Sequence, residues 1–437
     1  MESVWNKSRD IKEFNSIGKN VKTDVLIVGG GLAGVLCALM LDRENIDYIL
    51  VEQDKICDKT TLNTTAKITI QQGLIYSRVF DEFDLETAQL FLSANKEAFD
   101  MLCRLCSETD CDFEYKDSYV YSLDNEKKIE KELSALEKIG YNAEFSNCSH
   151  LPFETAGAVK FKSQAQFNPL AFVSQISKEL NIYENTRVLD ICDNTALTDR
   201  GKITAGKIIM ATHFPFINRH GFYYIKMFQH RSYVIACENA EDVDGMYVDE
   251  NKKGMSFRNY KDLLFIGGGG HRTGKQGGGW QELSDFAYRH YPNAKEKYRW
   301  AAQDCMTLDG IPYIGRYSKN TPNLFVATGF NKWGMVNSML SAMLLTDLIK
   351  EKDNQYEAVF SPSRTVLRPQ LAVNSFEAVT NLLTPTKKRC THLGCALKWN
   401  SQERTWDCPC HGSRFTQSGE IIENPAVEEL KINKQKK

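Results

Sequence analysis

Residues 21–34 read VKTDVLIVGGGLAG, and their reading decides the fold. The apolar run that ends at Val28 has the length and composition of a buried strand. Gly29, Gly31 and Gly34 follow as G-x-G-x-x-G, with Leu32 and Ala33 opening a helix predicted over 32–44. The first glycine permits a tight turn, the second lets backbone approach a pyrophosphate, and the third lets helix and strand pack closely. The helix N-terminus offers free N–H groups and a favourable dipole to that phosphate. Tyr48 to Glu52 reads as a second strand, and Glu52 stands 23 positions after Gly29, where a carboxylate can accept from ribose hydroxyls. An acid there argues against a 2′-phosphate. FAD and NAD share this motif, so the turn alone does not choose between them.

Outward from that turn, 437 residues are too many for one core and imply two or three domains. With 42% hydrophobic and 25% charged residues and a formal net charge of −2, the composition is that of an ordinary globular protein. No overall basic field gathers nucleic acid or anionic lipid. The uncharged stretch Val25 to Leu41 is short for a membrane span and is broken by three consecutive glycines, so the chain is expected to be cytoplasmic and to lack a span.

Periodicity predicts helices over 85–107 and 125–139, the second capped by Asp124 and stopped by Gly140. Strands are expected at 187–191, 207–212, 231–237, 262–266 and 323–328, with a turn from Gly329 to Gly334 and a helix to about Lys350. The first twenty residues read as a loosely held arm, and the glycine-rich stretch 267–279 as a loop. His271, Arg272 and Lys275 beside it are candidate cations for an anionic substrate, and His213, His220, His230 and Arg231 are further candidates for a pocket wall. No arrangement reads as a catalytic nucleophile, so the catalytic residues stay unassigned.

The segments 207–212 (KIIMAT), 307–315 (TLDGIPYIG) and 323–335 (NLFVATGFNKWGM), with the Gly29 motif, resemble the D-amino-acid-oxidase-like family of FAD oxidoreductases over roughly residues 22–350. The resemblance implies FAD. It implies a helix N-terminus at Gly329, Gly334 and Met335 under the flavin's pyrimidine edge, with Asp309 and Gly310 beside the cofactor chain and Val188 on the cofactor wall. It also runs the polar stretch 64–67 past the isoalloxazine, with Thr65 and Lys67 as contacts. A lysine ammonium there would favour anionic reduced flavin; the alternative is a solvated lysine.

Residues 390–395 read CTHLGC and 408–413 read CPCHGS. C-x-H followed by C-x-x-H is the pattern of Rieske [2Fe–2S] domains, in which two thiolates hold one iron and two imidazoles the other. Cys390 and Cys408 would supply sulfur, and His392 and His411 nitrogen. Zinc, which also takes two Cys and two His, is the rival reading. The Rieske resemblance further implies a disulfide between Cys395 and Cys410. Only about 25 residues separate the linker near 361 from Cys390, so the base half of such a domain is expected to be missing or shortened, with the flavin unit supplying a wall. Cys103, Cys106 and Cys111 give C-x2-C-x4-C, the spacing of a second cluster, but no fourth ligand is evident nearby and the first two fall on an amphipathic helix, so buried thiols are expected.

The expected architecture is α/β. A Rossmann-type FAD-binding domain is built from 20–84, 150–215 and 300–355. An inserted α+β, mixed-sheet substrate domain comes from 85–149 and 216–299. A linker and a small, abbreviated β-rich Rieske-like module occupy 356–437. The expected function is FAD-dependent electron transfer between a small organic substrate (by resemblance an amine or amino acid) and an external donor or acceptor protein. The alternative is an electron carrier or redox sensor with no small-molecule turnover.

Overall fold

The structure is a computed structural model that describes residues 2–8, 10–251, 254–365 and 367–431. Its centre is a largely parallel sheet around Val21–Val28. That strand pairs with Gly201–Met210 on one side and Tyr48–Val51 on the other, so Val28 lies between Met210 and Val51. Leu324–Thr328 and Ile182–Tyr183 extend the sheet in parallel, and Tyr313–Arg316 closes one edge antiparallel. The helices Leu32–Arg43 and Gly334–Ile349 pack on this sheet, the second buried almost all round. A strand, turn and helix, present near residue 29 and again near residue 329, thus bring Gly29 and Gly329 to the same edge, the carboxyl ends of the strands, where such sheets bind ligands.

The second sheet is mixed. Its strands lie in the order Lys295–Thr307, Met227–Glu238, Leu263–Arg272, Ser256–Tyr260, Met246–Asp249, Glu114–Ser122, Gly157–Gln166 and Lys67–Ile68. All neighbours on that path are antiparallel except Met246–Asp249 with Glu114–Ser122. Three strands fall differently from the expected division. Lys67–Ile68, Gly157–Gln166 and most of Lys295–Thr307 lie in segments assigned to the nucleotide layer, yet they pair in the second sheet. Lys295–Thr307 runs the length of Met227–Glu238, so the two layers share this strand's end at the cavity described below.

Other differences have local causes. The glycines Gly267–Gly270 are strand, not loop, because neighbours occupy the space a side chain would take. A Cβ on Gly267 would lie 2.6 Å from Ser256 Oγ, and one on Gly270 2.6 Å from His230 Cε1. The helix Glu126–Lys138 is capped by Asn125, whose Oδ1 accepts from the Lys128 N–H, and not by Asp124. The N-terminal arm is anchored: Trp5 is fully buried, donates Nε1–H to the Thr64 carbonyl at 2.7 Å, and meets Tyr260 edge-on.

The C-terminal module is a four-stranded antiparallel sheet, Lys398–Asn400, Thr405–Asp407, Arg414–Phe415 and Ile421–Glu423. Its 432–437 end lies outside the described residues. The second sheet serves as its missing wall. Gln229 donates to the His411 carbonyl at 2.9 Å, Gln303 to that of Gly412 at 2.9 Å, and Arg272 to that of Pro409 at 3.1 Å. Below these bonds Arg231 and Arg414, both buried, share Glu403, which Arg231 also grips through Nη2. Both guanidinium groups reach Glu423, and Arg414 also holds Asp407 at 3.0 Å.

Removing one partner of a buried ion pair strands the other, at about 3–5 kcal/mol. Arg231→Met should therefore lower stability by about that amount and release the module from the sheet, read as protease cleavage near residue 361 at wild-type-resistant doses. A variant as resistant as the parent would refute the clamp. Burial acts to raise the Glu403 carboxyl, but Arg231 and Arg414 hold it below the ordinary range. Its folded value is depressed, so its contribution is present above the unfolded value of about 4.3 and fades as pH falls through the folded one. Module release in denaturant should be easier in that acid window, and not on the alkaline side.

Candidate active site and metal centre

The glycine turn closes as its spacing demands. Gly29 has φ 110°, and a Cβ there would lie 2.6 Å from the Ala211 carbonyl oxygen. A Cβ on Gly34 would strike the Gly29 carbonyl. Gly31 differs: its nearest neighbour is Thr61 Oγ1 at 3.8 Å, and it opens the helix facing a cavity. Leu32, Ala33, Glu52, Val188, Gly329, Gly334 and Met335 line the same cavity. Glu52 accepts from the Gly30 N–H at 2.7 Å and the Asp54 N–H at 3.1 Å, and burial raises its pKa. Gly334 has open space where a Cβ would stand, and its helix starts without a side-chain cap. Bare backbone at two helix N-termini suits a dinucleotide's phosphate and an electron-rich ring edge.

Asp309 is elsewhere. It is buried, pairs with Arg364 Nε at 2.7 Å and Nη2 at 2.9 Å, and caps the Ile311 N–H. Burial acts against its charge, but Arg364 holds its pKa down. The aspartate is a structural turn residue because Arg364, from the following linker, consumes both oxygens. Gly310, Thr65 and Lys67 line a second cavity of about 600 Å³. It shares Asp304, Lys332, Gly334 and Met335 with the first, so the two adjoin.

Lys67 is half-buried on the wall of this cavity and bonds Thr65 Oγ1 at 3.3 Å. Burial first, and then Arg258, push its pKa down to about 7. Arg258 donates to the Ala66 carbonyl at 2.9 Å, while its Nε and Nη2 have no partner. His271, Arg272 and Lys275 line neither cavity. They bond Tyr233, the C-terminal module and Glu377 respectively, because the glycine strand carries them to the module's edge. The sequence reading missed Thr61, Thr186, Glu423, Asn424, Ala426 and Val427 on the nucleotide cavity wall. Four of these come from the C-terminal module, and no local pattern marks a contact made across more than two hundred residues.

The two ligand loops are copies of one another. In each, the N–H of the leading cysteine bonds the carbonyl five residues on: Cys390 to Cys395 at 2.8 Å, Cys408 to Ser413 at 2.9 Å. In each, a glycine N–H bonds back to the cysteine carbonyl at 2.9 Å, and both Gly394 and Gly412 have positive φ. The loops thus present Cys-x-His and Cys-x-x-His side by side. His392 Nδ1 and His411 Nδ1 face each other at 3.3 Å. Two nitrogens about 2.0–2.1 Å from one metal at a tetrahedral angle stand about 3.4 Å apart, so the pair fits a single ion. Burial pushes the imidazoles down to about 4 and about 3, which keeps them neutral and able to ligate. The Cys408 thiol, with backbone N–H groups, holds Cys390 down to about 7. The sulfurs of Cys395, Cys408 and Cys410 also cluster, but Cys395 and Cys410 are joined by a disulfide, which leaves Cys390 and Cys408 as the thiolate pair. Cys103, Cys106 and Cys111 are buried thiols.

The outer edge of the imidazole pair is covered by the flavin unit. His392 Nε2 stands 2.9 Å from Asn218 Oδ1, and His411 packs against Tyr224 and Phe214. Were Nδ1 to ligate iron, Nε2 would carry the proton and Asn218 Oδ1 would accept it.

A dinucleotide cavity on a parallel sheet, a second cavity beneath a mixed sheet, and a two-Cys, two-His module define a flavin-dependent oxidoreductase with an iron–sulfur centre. Residues 24–348 match the family model "FAD dependent oxidoreductase" and 355–434 the "Rieske [2Fe-2S] domain". The chain belongs to the FAD dependent oxidoreductase (DAO) family and carries a Rieske domain; its cofactors are FAD and a [2Fe–2S] cluster. It is 33% identical, across 98% of its length and 97% of the other, to the Bacillus subtilis (strain 168) protein YhfW, whose name places it with Rieske 2Fe-2S proteins. The fold resembles glycine oxidase of Geobacillus kaustophilus (TM-score 0.66, 19% identity, 79% of this chain and 99% of that one). It equally resembles L-proline dehydrogenase of P. horikoshii (TM-score 0.66, 17% identity, 79% and 98%). Among the described residues no helix is long and apolar enough to cross a membrane.

Outer-shell acceptors make a ligating imidazole a stronger donor and so favour the oxidised metal. Asn218→Leu should leave iron and FAD content unchanged and raise the cluster's midpoint potential, by up to about 59 mV, a tenfold change for one electron. Potentiometric titration followed by electron paramagnetic resonance reads the shift; an unmoved or lowered potential would contradict the Asn218 assignment.

Proposed function

We propose that the chain is a dehydrogenase for a small amine that carries a carboxylate, an amino acid being the simplest, and that it delivers the electrons to an external acceptor protein. The cavity of about 600 Å³ adjoining the nucleotide cavity carries this reading, because a protein that only relayed electrons needs no such space. When bound, FAD supplies two-electron chemistry and the [2Fe–2S] cluster one-electron chemistry.

Gly29, Gly31, Leu32 and Ala33 would hold the pyrophosphate, with Gly34 letting the helix pack on that turn, Glu52 the ribose, and Gly329, Gly334 and Met335 the ring edge. Cys390 and Cys408 would ligate one iron, His392 and His411 the other. Thr65, Lys67 and Gly310 would face the substrate. Lys67 gives a carboxylate its ion pair, and Arg258 behind it adds positive potential that no carboxylate cancels through a bond. An anion entering beside them would hold Lys67 in its charged form. The flavoenzymes of similar fold named for glycine and L-proline support the amino-acid class.

The decisive experiment is anaerobic titration of the FAD-loaded, cluster-loaded protein with single amino acids. The flavin band should bleach with one of them, followed by the cluster's reduced paramagnetic signal. If no amino acid or secondary amine bleaches the flavin while a reduced protein partner does, the electron-carrier reading takes its place. Lys67→Met should raise KM for a carboxylate substrate by roughly ten- to a hundredfold with little change in kcat, matching a charged hydrogen bond of about 1.5–3 kcal/mol. Because the Lys67 value is about 7, wild-type kcat/KM for such a substrate should fall as pH rises through 7 and the ammonium is lost. The Met variant should lack that limb. A limb retained in the variant would exclude Lys67 as the carboxylate's partner.

A further inference from the structure

We propose that the linker helix Pro369–Leu383 is a docking face for an anionic lipid bilayer. It joins the flavin unit to the cluster module, and its amphipathic pattern is inverted. The polar side faces the protein. Asn374 accepts from Arg272 at 2.8 Å, Glu377 pairs with Lys275 at 2.7 Å, and the Asn381 carbonyl receives the Ala396 N–H at 2.9 Å. The apolar side faces out. Val373, Phe376, Val379 and Leu383 recur at three- and four-residue spacing, with Phe376 70% and Leu383 77% exposed. Leu367 and Leu382 extend the stripe. Soluble chains seldom expose a contiguous patch of this kind unless something covers it.

Charge selects the occupant. At the C-terminal end of the helix stand Lys387 and Lys388, beside Arg389, while Arg368 at the other end pairs with Glu82 at 3.5 Å and the helix's own carboxylate, Glu377, is turned inward. The chain as a whole carries −2, so this patch is a local reversal that whole-chain charge conceals. An apolar face with cations at its end is the arrangement that seats a helix at a lipid interface, the apolar side among acyl chains and the cations among anionic headgroups. A second copy of the chain fits less well. Glu82, the carboxylate that would lie opposite the lysines in an antiparallel pair of stripes, is already held by Arg368.

Docking would also orient the molecule. Arg389 binds the carbonyls of Leu382, Thr384 and Gly394, which ties the helix end to the first ligand loop. Leu393, in that loop, is itself partly exposed. The face that meets lipid is therefore on the cluster's side of the molecule.

The test is co-sedimentation of the cofactor-loaded full chain with vesicles of phosphatidylglycerol mixed into phosphatidylcholine, and with phosphatidylcholine alone. Binding is expected to the first and to be at least tenfold weaker to the second, and added salt should reduce it. Phe376→Glu should cut binding at least tenfold while the flavin spectrum and the cluster's paramagnetic signal stay as in the parent. Lys387→Gln with Lys388→Gln, which leaves the helix intact, should also weaken binding should the first variant fold poorly. Absence of binding to the anionic vesicles, or equal binding to both kinds, overturns the proposal. So does a dimer in light scattering without lipid that Phe376→Glu makes monomeric, since that outcome assigns the stripe to a second copy.

Discussion

Two buried guanidinium groups and three carboxylates decide where the cluster module can sit. Arg231 comes from the strand next to the edge of the second sheet, and Arg414 from the module, and both reach Glu403 and Glu423. Such a network is a poor source of net stability, since desolvation offsets much of the attraction. It is a strong source of register, because any other placement leaves charges buried and unpaired. An abbreviated module with a small core of its own needs that register from outside. Cys390, Cys395, Cys408, Cys410, Leu397, Phe415 and Ala426 are nearly all that it buries among themselves.

Once the register is set, the remaining contacts follow. Asn424 donates to the carbonyls of Thr212 and Phe214 at 2.6 and 2.7 Å, just past the strand that ends at Met210. Arg187 donates to Val427, which lines the nucleotide cavity. The module is thus held from the sheet side and from the nucleotide side, and its outer imidazole edge is covered by Asn218. It also follows that the nucleotide cavity is incomplete without the module, although every nucleotide motif in the sequence lies outside it.

That last point marks where the sequence is legible. The Gly29–Gly34 turn and the two Cys/His loops are local: their geometry is set by residues within six positions, so spacing carries them. The layer division is not local. Lys67 pairs with Gln166, and Gln166 also with Glu114, through backbone bonds that impose no side-chain pattern on any of them. Asp309 shows the same limit from the other side. A motif placed it beside the cofactor, but Arg364, more than fifty residues on, determines what its oxygens bind. Gly267–Gly270 misleads for a steric reason. Glycine usually signals a turn, but here it lets an adjacent strand and an imidazole come closer than a Cβ allows.

Trp5 joins these threads. Nothing in a polar N-terminal arm announces a core residue, yet its ring lies against Arg258 at 5.8 Å, with Tyr260 and Phe265 on the same guanidinium. Aromatic faces stabilise a buried cation without neutralising it, as a carboxylate would. The guanidinium therefore keeps its positive field, and burial with that field drives Lys67 down to about 7. A cation pair without a bonded acid is a costly arrangement in a core. Its persistence beside a cavity makes sense if the missing anion arrives with the ligand. The arm, the aromatic cage, the arginine and the lysine then form one device, in which packing at the chain's start sets the charge that the cavity offers to its substrate.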